Sequence, residues 1–129
     1  VVTNGFTHIE ELTKAGVEAY IIGGKVKLKT GATVGATAVI SLKNYNFDIA
    51  FIGANGITID GYSTPDPEEV IVKSEAIKRS KQVYFLCDRS KFKENSFMNF
   101  ASLEDGTLIT DGNIPRELEK MIKGKEERK

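Results

Sequence analysis

The chain has 129 residues, of which 40% are hydrophobic and 28% charged, enough apolar material for one buried core. Its 18 Lys and Arg balance 18 Asp and Glu, which argues against this segment alone gripping nucleic acid, since phosphate neutralisation needs a basic patch. The single cysteine, Cys87, excludes an internal disulfide and reads as a buried thiol in a reducing compartment, and no stretch nears the roughly 20 apolar residues of a membrane span, so a cytoplasmic protein without membrane contact is expected.

The chain opens in mid-strand, without a methionine, and reads as a domain whose N-terminal part has been removed. Val1-Val2 runs into Thr3-Asn4-Gly5, and Thr7 with Glu10 then forms a capping box for a helix that turns Ile9 and Leu12 inward. Gly16 is placed to end that helix. A strand from about Glu18 to Ile22 stops at Gly23-Gly24, a turn into Lys25-Val26-Lys27-Leu28-Lys29. The period-two alternation of that run fits an exposed strand, and its lysines fit a solvated or edge-protecting face better than a phosphate site.

Small residues from Thr33 to about Lys43 predict a helix with Val34, Ala38 and Leu42 on one stripe. Asp48 to Ile52 is almost all apolar, as in a central strand covered on both faces. After the loop from Gly61, Asp66 is the expected N-cap of a helix, with Pro67 in its first position and Glu69 closing the box. Gln82–Leu86 and Thr107–Thr110 read as further strands, and Asn113-Ile114-Pro115 opens a last helix carrying Leu118, Met121 and Ile122. Residues 1–123 are read as one domain and 124–129 as a charged tail, frayed from about Lys123. Strands alternating with helices over short connections imply a three-layer α/β unit, a mostly parallel sheet with helices on both faces.

The apolar runs stop at small, amide or acidic residues, and an open parallel sheet binds its ligand beyond the carboxyl ends of its strands. Chemistry is therefore expected on one rim. Gly53-Ala54-Asn55-Gly56 fits either a close backbone approach to a ligand or a tight Asn-Gly turn. Asp88-Arg89-Ser90-Lys91 places a carboxylate, a hydroxyl and two cations just past a strand, the mixture that a sugar phosphate needs. Glu69 and Lys73, four apart, share a helix face that can turn toward the rim, although a surface ion pair explains them too. Thr110-Asp111 is read as a turn, and the lone His8 as a solvated residue. No metal-ligand spacing, dinucleotide fingerprint or P-loop is present, so neither metal nor cofactor is expected.

In order along the chain, Val2-Thr3-Asn4, Ile22-Gly23-Gly24, Thr30–Gly35, Phe47–Gly56, Gly61–Glu69, Lys73, Asp88–Phe92 and Ile109–Asp111 resemble the effector-binding domain of the DeoR family of bacterial transcriptional repressors. The resemblance runs from Val1 to about Ile114 and rests on the ordered set rather than on one motif. It implies a fold shared with ribose-5-phosphate isomerase and CoA-transferase-like proteins. It also implies a sensor that binds a phosphorylated sugar and so alters the operator affinity of an attached winged helix-turn-helix. That DNA-binding domain is absent from this segment, as is the family's Gly/Thr-rich loop, which would precede Val1. The Asp-x-Ser-Lys stretch of the family falls on Asp88, Ser90 and Lys91, and the acidic-Lys pair of the related isomerases has a counterpart in Glu69 and Lys73. The Gly-Ala-Asn-Gly and Thr-Pro-Asp-Pro-Glu-Glu variants look like the fructose-operon repressors, which suggests fructose 1-phosphate.

The expected ligand-binding set is Asn4, Gly53, Asn55, Gly56, Glu69, Lys73, Asp88, Ser90 and Lys91. The leading expectation is a non-catalytic sensor, a homo-oligomer in which the sugar bridges Asn55, Asp88 and Lys91. The alternative is a sugar-phosphate isomerase with Glu69 or Asp88 as base. A third possibility gives the segment mainly an assembly role through Tyr62, Phe97, Met98 and Phe100, residues that core packing explains equally well.

Overall fold

A computed structural model describes residues 1–122 and 125–127. Its principal sheet contains β5 (Phe47–Gly53), β8 (Ser80–Leu86) and β10 (Thr107–Thr110), joined in parallel in that order. Within the tail expected to fray, β11 (Lys125–Glu127) pairs in parallel with β10, while 123, 124, 128 and 129 lie outside the described residues. Strand pleating turns Ala50 and Ile52, Val83 and Phe85, and Leu108 to one face. There they join Ile57, Tyr62, Cys87, Leu103 and Leu118 in the larger core.

The mixed α/β architecture with a parallel sheet is as the sequence implies. The covering is not symmetrical, however. Helices α2 (Ala36–Leu42) and α3 (Pro67–Lys78) pack together over one side, and Leu118 of α4 (Arg116–Glu119) enters the same core. On the opposite face Ile49, Phe51 and Leu86 are all more than 40% exposed, and the Phe51 and Tyr84 rings stack there with centroids 5.5 Å apart. The strand expected to be covered on both faces is therefore covered on one, and the second helical layer is not seen there among the described residues.

Two smaller parallel strands, β1 (Val2–Thr3) and β2 (Tyr20–Ile21), stand apart from this sheet. Between them runs a 3-10 turn at Phe6–His8 followed by α1 (Ile9–Lys14). No side-chain cap forms at the start of either helix, so the Thr7–Glu10 capping box is not made; Glu10 instead pairs with Lys14 on the surface. The end of α1 is as expected. Gly16 has φ +75°, its amide reaches Thr13 O and the Val17 amide reaches Leu12 O, satisfying two orphan carbonyls.

The expected Thr33–Lys43 helix begins later. Ala32–Val34 is a strand, β4, antiparallel to β3 (Lys25–Lys27), and all three of its residues are buried. Gly35 at φ +90° then separates strand from helix, a backbone conformation that an α-helix cannot contain. The helix keeps the stripe of Ala38 and Leu42, both buried against Ile22 and Val72. A second unanticipated unit is the three-stranded antiparallel sheet of β6 (Gly56–Thr58), β7 (Gly61–Thr64) and β9 (Met98–Ala101). It carries Tyr62 into the core, where its ring stacks on Phe85 at a centroid separation of 3.9 Å. Burying two such rings contributes about 1.5–3 kcal/mol each, so Tyr62 is a core residue. Phe97, by contrast, is 78% exposed.

Candidate functional site

The carboxyl ends of β1 and β5 meet at a cleft of about 400 Å³ that includes Thr3, Asn4, Phe51, Gly53, Glu69 and Lys73 in its walls. Four of the nine expected site residues, Asn4, Gly53, Glu69 and Lys73, are brought together there. Asn4 is fixed to β4: its Nδ2 donates to Thr33 O at 2.9 Å, and its backbone carbonyl accepts the Thr33 amide at 2.8 Å and the Thr33 hydroxyl at 3.4 Å. These bonds consume part of its hydrogen-bonding capacity and lock its orientation.

Helix α3 supplies Glu69 and Lys73. Asp66 caps it, accepting the Glu68 amide at 2.9 Å, and Pro67 occupies its first turn as the sequence implies. Glu69 does not complete a capping box: its amide donates to the Asp66 carbonyl at 3.0 Å, and its carboxylate turns to a lysine instead. Its carboxylate lies 3.4 Å from Lys27 Nζ, which also reaches Asp66 at 2.5 Å. Lys25 pairs with Glu68 at 2.9 Å. The alternating lysines thus fasten the β3 strand to the acidic N-terminus of α3, where cationic partners offset the concentrated carboxylates. The Asp66 side chain is held below the usual carboxylate range, first by its hydrogen bond from Lys27 and then by the Glu68 amide.

Lys73 does not pair with Glu69 directly. Its ammonium donates to Gly53 O at 2.5 Å and lies 5.2 Å from the Phe100 ring centroid. Burial pushes this ammonium below the ordinary lysine range, with the nearby Glu69 charge opposing that shift. With Glu69 committed to Lys27, Lys73 is the cation that the cleft presents.

The remaining site residues lie farther along the rim. Gly53 and Leu86 are partners on adjacent strands, so the loops after β5 and β8 emerge side by side. Asp88 accepts the Ser90 amide at 2.8 Å and makes a short hydrogen bond with the Ser90 hydroxyl. These bonds hold its carboxyl below its usual range. Asp111 accepts the Arg89 amide at 2.8 Å, tying the β10 turn to this loop, in keeping with its reading as a turn residue. Asn55 Oδ1 accepts the Thr64 hydroxyl at 3.1 Å. Asn55, Asp88 and Lys91 therefore share the rim without converging in the cleft of Asn4 and Lys73. Cys87, just past β8, is buried, and burial pushes its thiol up to about 11, with Lys73 drawing it down.

Gly56 has a different explanation from Gly53. A Cβ at Gly56 would meet Glu94 O at 2.3 Å and Ser63 Oγ at 2.8 Å, whereas one at Gly53 would meet nothing within 4 Å. Gly56 is required by close backbone packing, and Gly53 leaves the cleft open. His8 and Thr30 also line the cleft. No sequence spacing pointed to Thr30, and His8 arrives through the turn after β1. Among the described residues no group of three or more His, Cys, Asp or Glu is arranged to hold a metal ion.

The cleft lies at the carboxyl rim of parallel strands, the part of an open α/β sheet where ligands generally bind. Residues 1–112 match the family model described as the DeoR C terminal sensor domain. The chain belongs to the DeoR family and is its sensor domain. It is 46% identical over 111 residues to the Bacillus subtilis protein named as the uncharacterized HTH-type transcriptional regulator FruR, covering 85% of this chain and 44% of that protein. It is 36% identical over 115 residues to the HTH-type transcriptional regulator GlpR of Haloferax volcanii, covering 88% of this chain and 45% of that one. With the HTH-type transcriptional repressor GlcR of Bacillus subtilis it shares 32% identity over 118 residues, 91% of this chain and 46% of the relative. The chain thus spans a little under half the length of these relatives. Their names describe transcriptional regulators, a non-enzymatic role.

Proposed function

We propose that this domain senses a phosphorylated sugar, with fructose 1-phosphate as the first candidate, and controls operator binding by a winged helix-turn-helix on the same polypeptide. One observation carries this reading: the cleft joins a fixed carboxamide, a glycine with open space above it, a carboxylate and a half-buried ammonium at Asn4, Gly53, Glu69 and Lys73. Hydroxyls of a sugar need such acceptors and donors, and an anionic group needs the cation. The neighbouring Asp88, Ser90 and Lys91 extend this mixture along the rim, and Asn55 follows Gly53 in the loop after β5. Gly56 acts by shaping the turn that carries Asn55.

Signalling requires the sugar to bind one arrangement of the protein better than another; a coupling of about 1–3 kcal/mol, roughly 5–150-fold in operator affinity, is typical. A cytoplasmic homo-oligomer is the form in which this sensing is expected. The isomerase alternative finds less support, because Glu69 is committed to Lys27 and Asp88 to Ser90. The test is a titration of the intact regulator on its operator with fructose 1-phosphate. The expected result is a weakened complex, and a blunted response in Lys91→Ala. Operator affinity that ignores the sugar would refute the assigned effector.

A further inference from the structure

His8 reads in sequence as a solvated residue, yet the fold gives its ring a built place. Gly5 has φ −87° and ψ 107°, a backbone conformation open to any residue, so the turn itself does not call for glycine. A Cβ at Gly5 would instead lie 2.7 Å from His8 Cδ2 and 3.1 Å from its Nε2. The side chain absent from Gly5 is thus the space that the imidazole edge occupies. Gly5 is buried and lines the cleft with Thr3, His8 and Thr30, so the Nε2 edge lies at the cleft wall although His8 as a whole is exposed. That wall is braced. Thr3 Oγ1 accepts the Gly5 amide at 3.0 Å, Gly5 bridges to Ala32, and the Phe6 amide donates to Gly31 O at 2.9 Å. Lys25 and Lys27 then tie the β3–β4 hairpin to the start of α3, the helix that supplies Glu69 and Lys73. The turn carrying the imidazole is therefore held in register with the other cleft groups, the preorganisation that specific recognition needs.

We propose that His8 is a specificity-determining residue of this sensor, its imidazole donating a hydrogen bond to the phosphate of the bound sugar beside the Thr3 and Thr30 hydroxyls. The other polar groups of the cleft are already engaged: the Asn4 carboxamide with Thr33 O, Glu69 with Lys27, and Lys73 with Gly53 O. Among the described residues, neither ring nitrogen of His8 nor the Thr30 hydroxyl has a partner. Thr3 Oγ1 acts only as an acceptor, which leaves its proton to donate. A phosphate monoester presents three strongly accepting oxygens. Lys73 has one of its three protons on Gly53 O, so it cannot serve all of them. The donors still open stand on the wall of Thr3, His8 and Thr30, and a free sugar has no group that needs them together. His8 thereby favours phosphorylated over unphosphorylated sugar, and Gly5 is the residue that makes room for it.

This role rests on the cleft being the effector site, so the experiment follows both. Imidazole and backbone NMR signals of the intact regulator are recorded during titration with fructose 1-phosphate and, at matched concentrations, with fructose. The His8 ring signals are those missing from His8→Phe, which keeps a ring against Gly5 but carries no N–H. They should shift saturably with fructose 1-phosphate and stay in place with fructose. By calorimetry His8→Phe should bind fructose 1-phosphate about tenfold or more weakly at an unchanged Tm, and His8→Gln, which keeps a donor, should recover part of the loss. Shifts at Gly53 and Lys73 without any at the imidazole, or equal imidazole shifts with the two sugars, overturn the role of His8 and leave the sensing reading in place. Wild-type affinity in His8→Phe does the same, as does an equal loss in both variants with a lowered Tm, which marks a packing role. No shift at Asn4, Gly53 or Lys73 with fructose 1-phosphate overturns the assigned effector and the role of His8 together.

Discussion

Two glycines of one sequence motif should respond oppositely to the same added methyl group. In Gly56→Ala the new Cβ would lie 2.3 Å from the Glu94 carbonyl oxygen, with Ser63 Oγ 2.8 Å away. The first contact is backbone, held where the Lys93 amide bonds Ile57 O at 2.9 Å, so it cannot move aside cheaply. Overpacking of this kind costs about 1–3 kcal/mol. In Gly53→Ala nothing lies within 4 Å, and Gly53 is outside the positive-φ set. Restricting the unfolded chain at such a site stabilises by about 0.4–1 kcal/mol. Urea unfolding should therefore show a lowered midpoint for Gly56→Ala and an unchanged or raised one for Gly53→Ala. In a calorimetric titration with fructose 1-phosphate, Gly53→Ala should lose affinity because its methyl enters the cleft, despite its intact fold. Destabilisation of Gly53→Ala to the level of Gly56→Ala, or undiminished sugar binding by it, would refute the assignment.

Tyr62 is fully buried and its hydroxyl has no hydrogen-bond partner among the described residues, so Tyr62→Phe should stabilise by about 1 kcal/mol, read as a rise of roughly 3–5 °C in Tm; a loss of stability would reveal a partner for that oxygen. Cys87, 3% exposed with its thiol pushed up to about 11, should react with a thiol reagent at pH 8 on the order of 100-fold more slowly when folded than in urea. Comparable rates would place it on an accessible surface. Asp66 has a depressed carboxyl, so its stabilising contribution is complete above its unfolded value near ~3.9 and is lost as pH falls through the lower folded value. Asp66→Asn retains an N-cap but should flatten that part of the acid-unfolding curve, whereas Asp66→Ala should cost about 1 kcal/mol at neutral pH. An unchanged acid limb in Asp66→Asn would contradict the Lys27 pairing.

Local chemistry was legible where it sufficed to determine structure. The apolar runs at Phe51-Ile52 and Val83–Leu86 specify parallel strands, and Asp66-Pro67 specifies the start of α3. Gly16 likewise marks the end of α1 through local amide bonds. The sequence was misleading where long-range pairing overrides local pattern. Thr33-Val34 has helix-compatible spacing, but both residues pair across to Val26 and Lys25. Lys27 reads as a solvated residue until the fold brings it to Asp66 and Glu69, about 40 residues away. The β6–β7–β9 sheet is built largely from short Gly, Ser and Thr-containing segments whose partner, β9, lies over 30 residues downstream. The rim was legible as a set of strand ends; its division into the Asn4–Lys73 cleft and the Asp88–Lys91 loop depends on side-chain bonding that spacing does not encode.

The most direct test of the sensing account is a residue-resolved NMR titration of the regulator with fructose 1-phosphate, using unphosphorylated fructose as control. The account predicts saturable shifts at Asn4, Gly53 and Lys73, extending to residues 88–91, with much weaker effects from fructose. Saturable binding whose shifts lie away from these strand ends, or no difference between the two sugars, would contradict it.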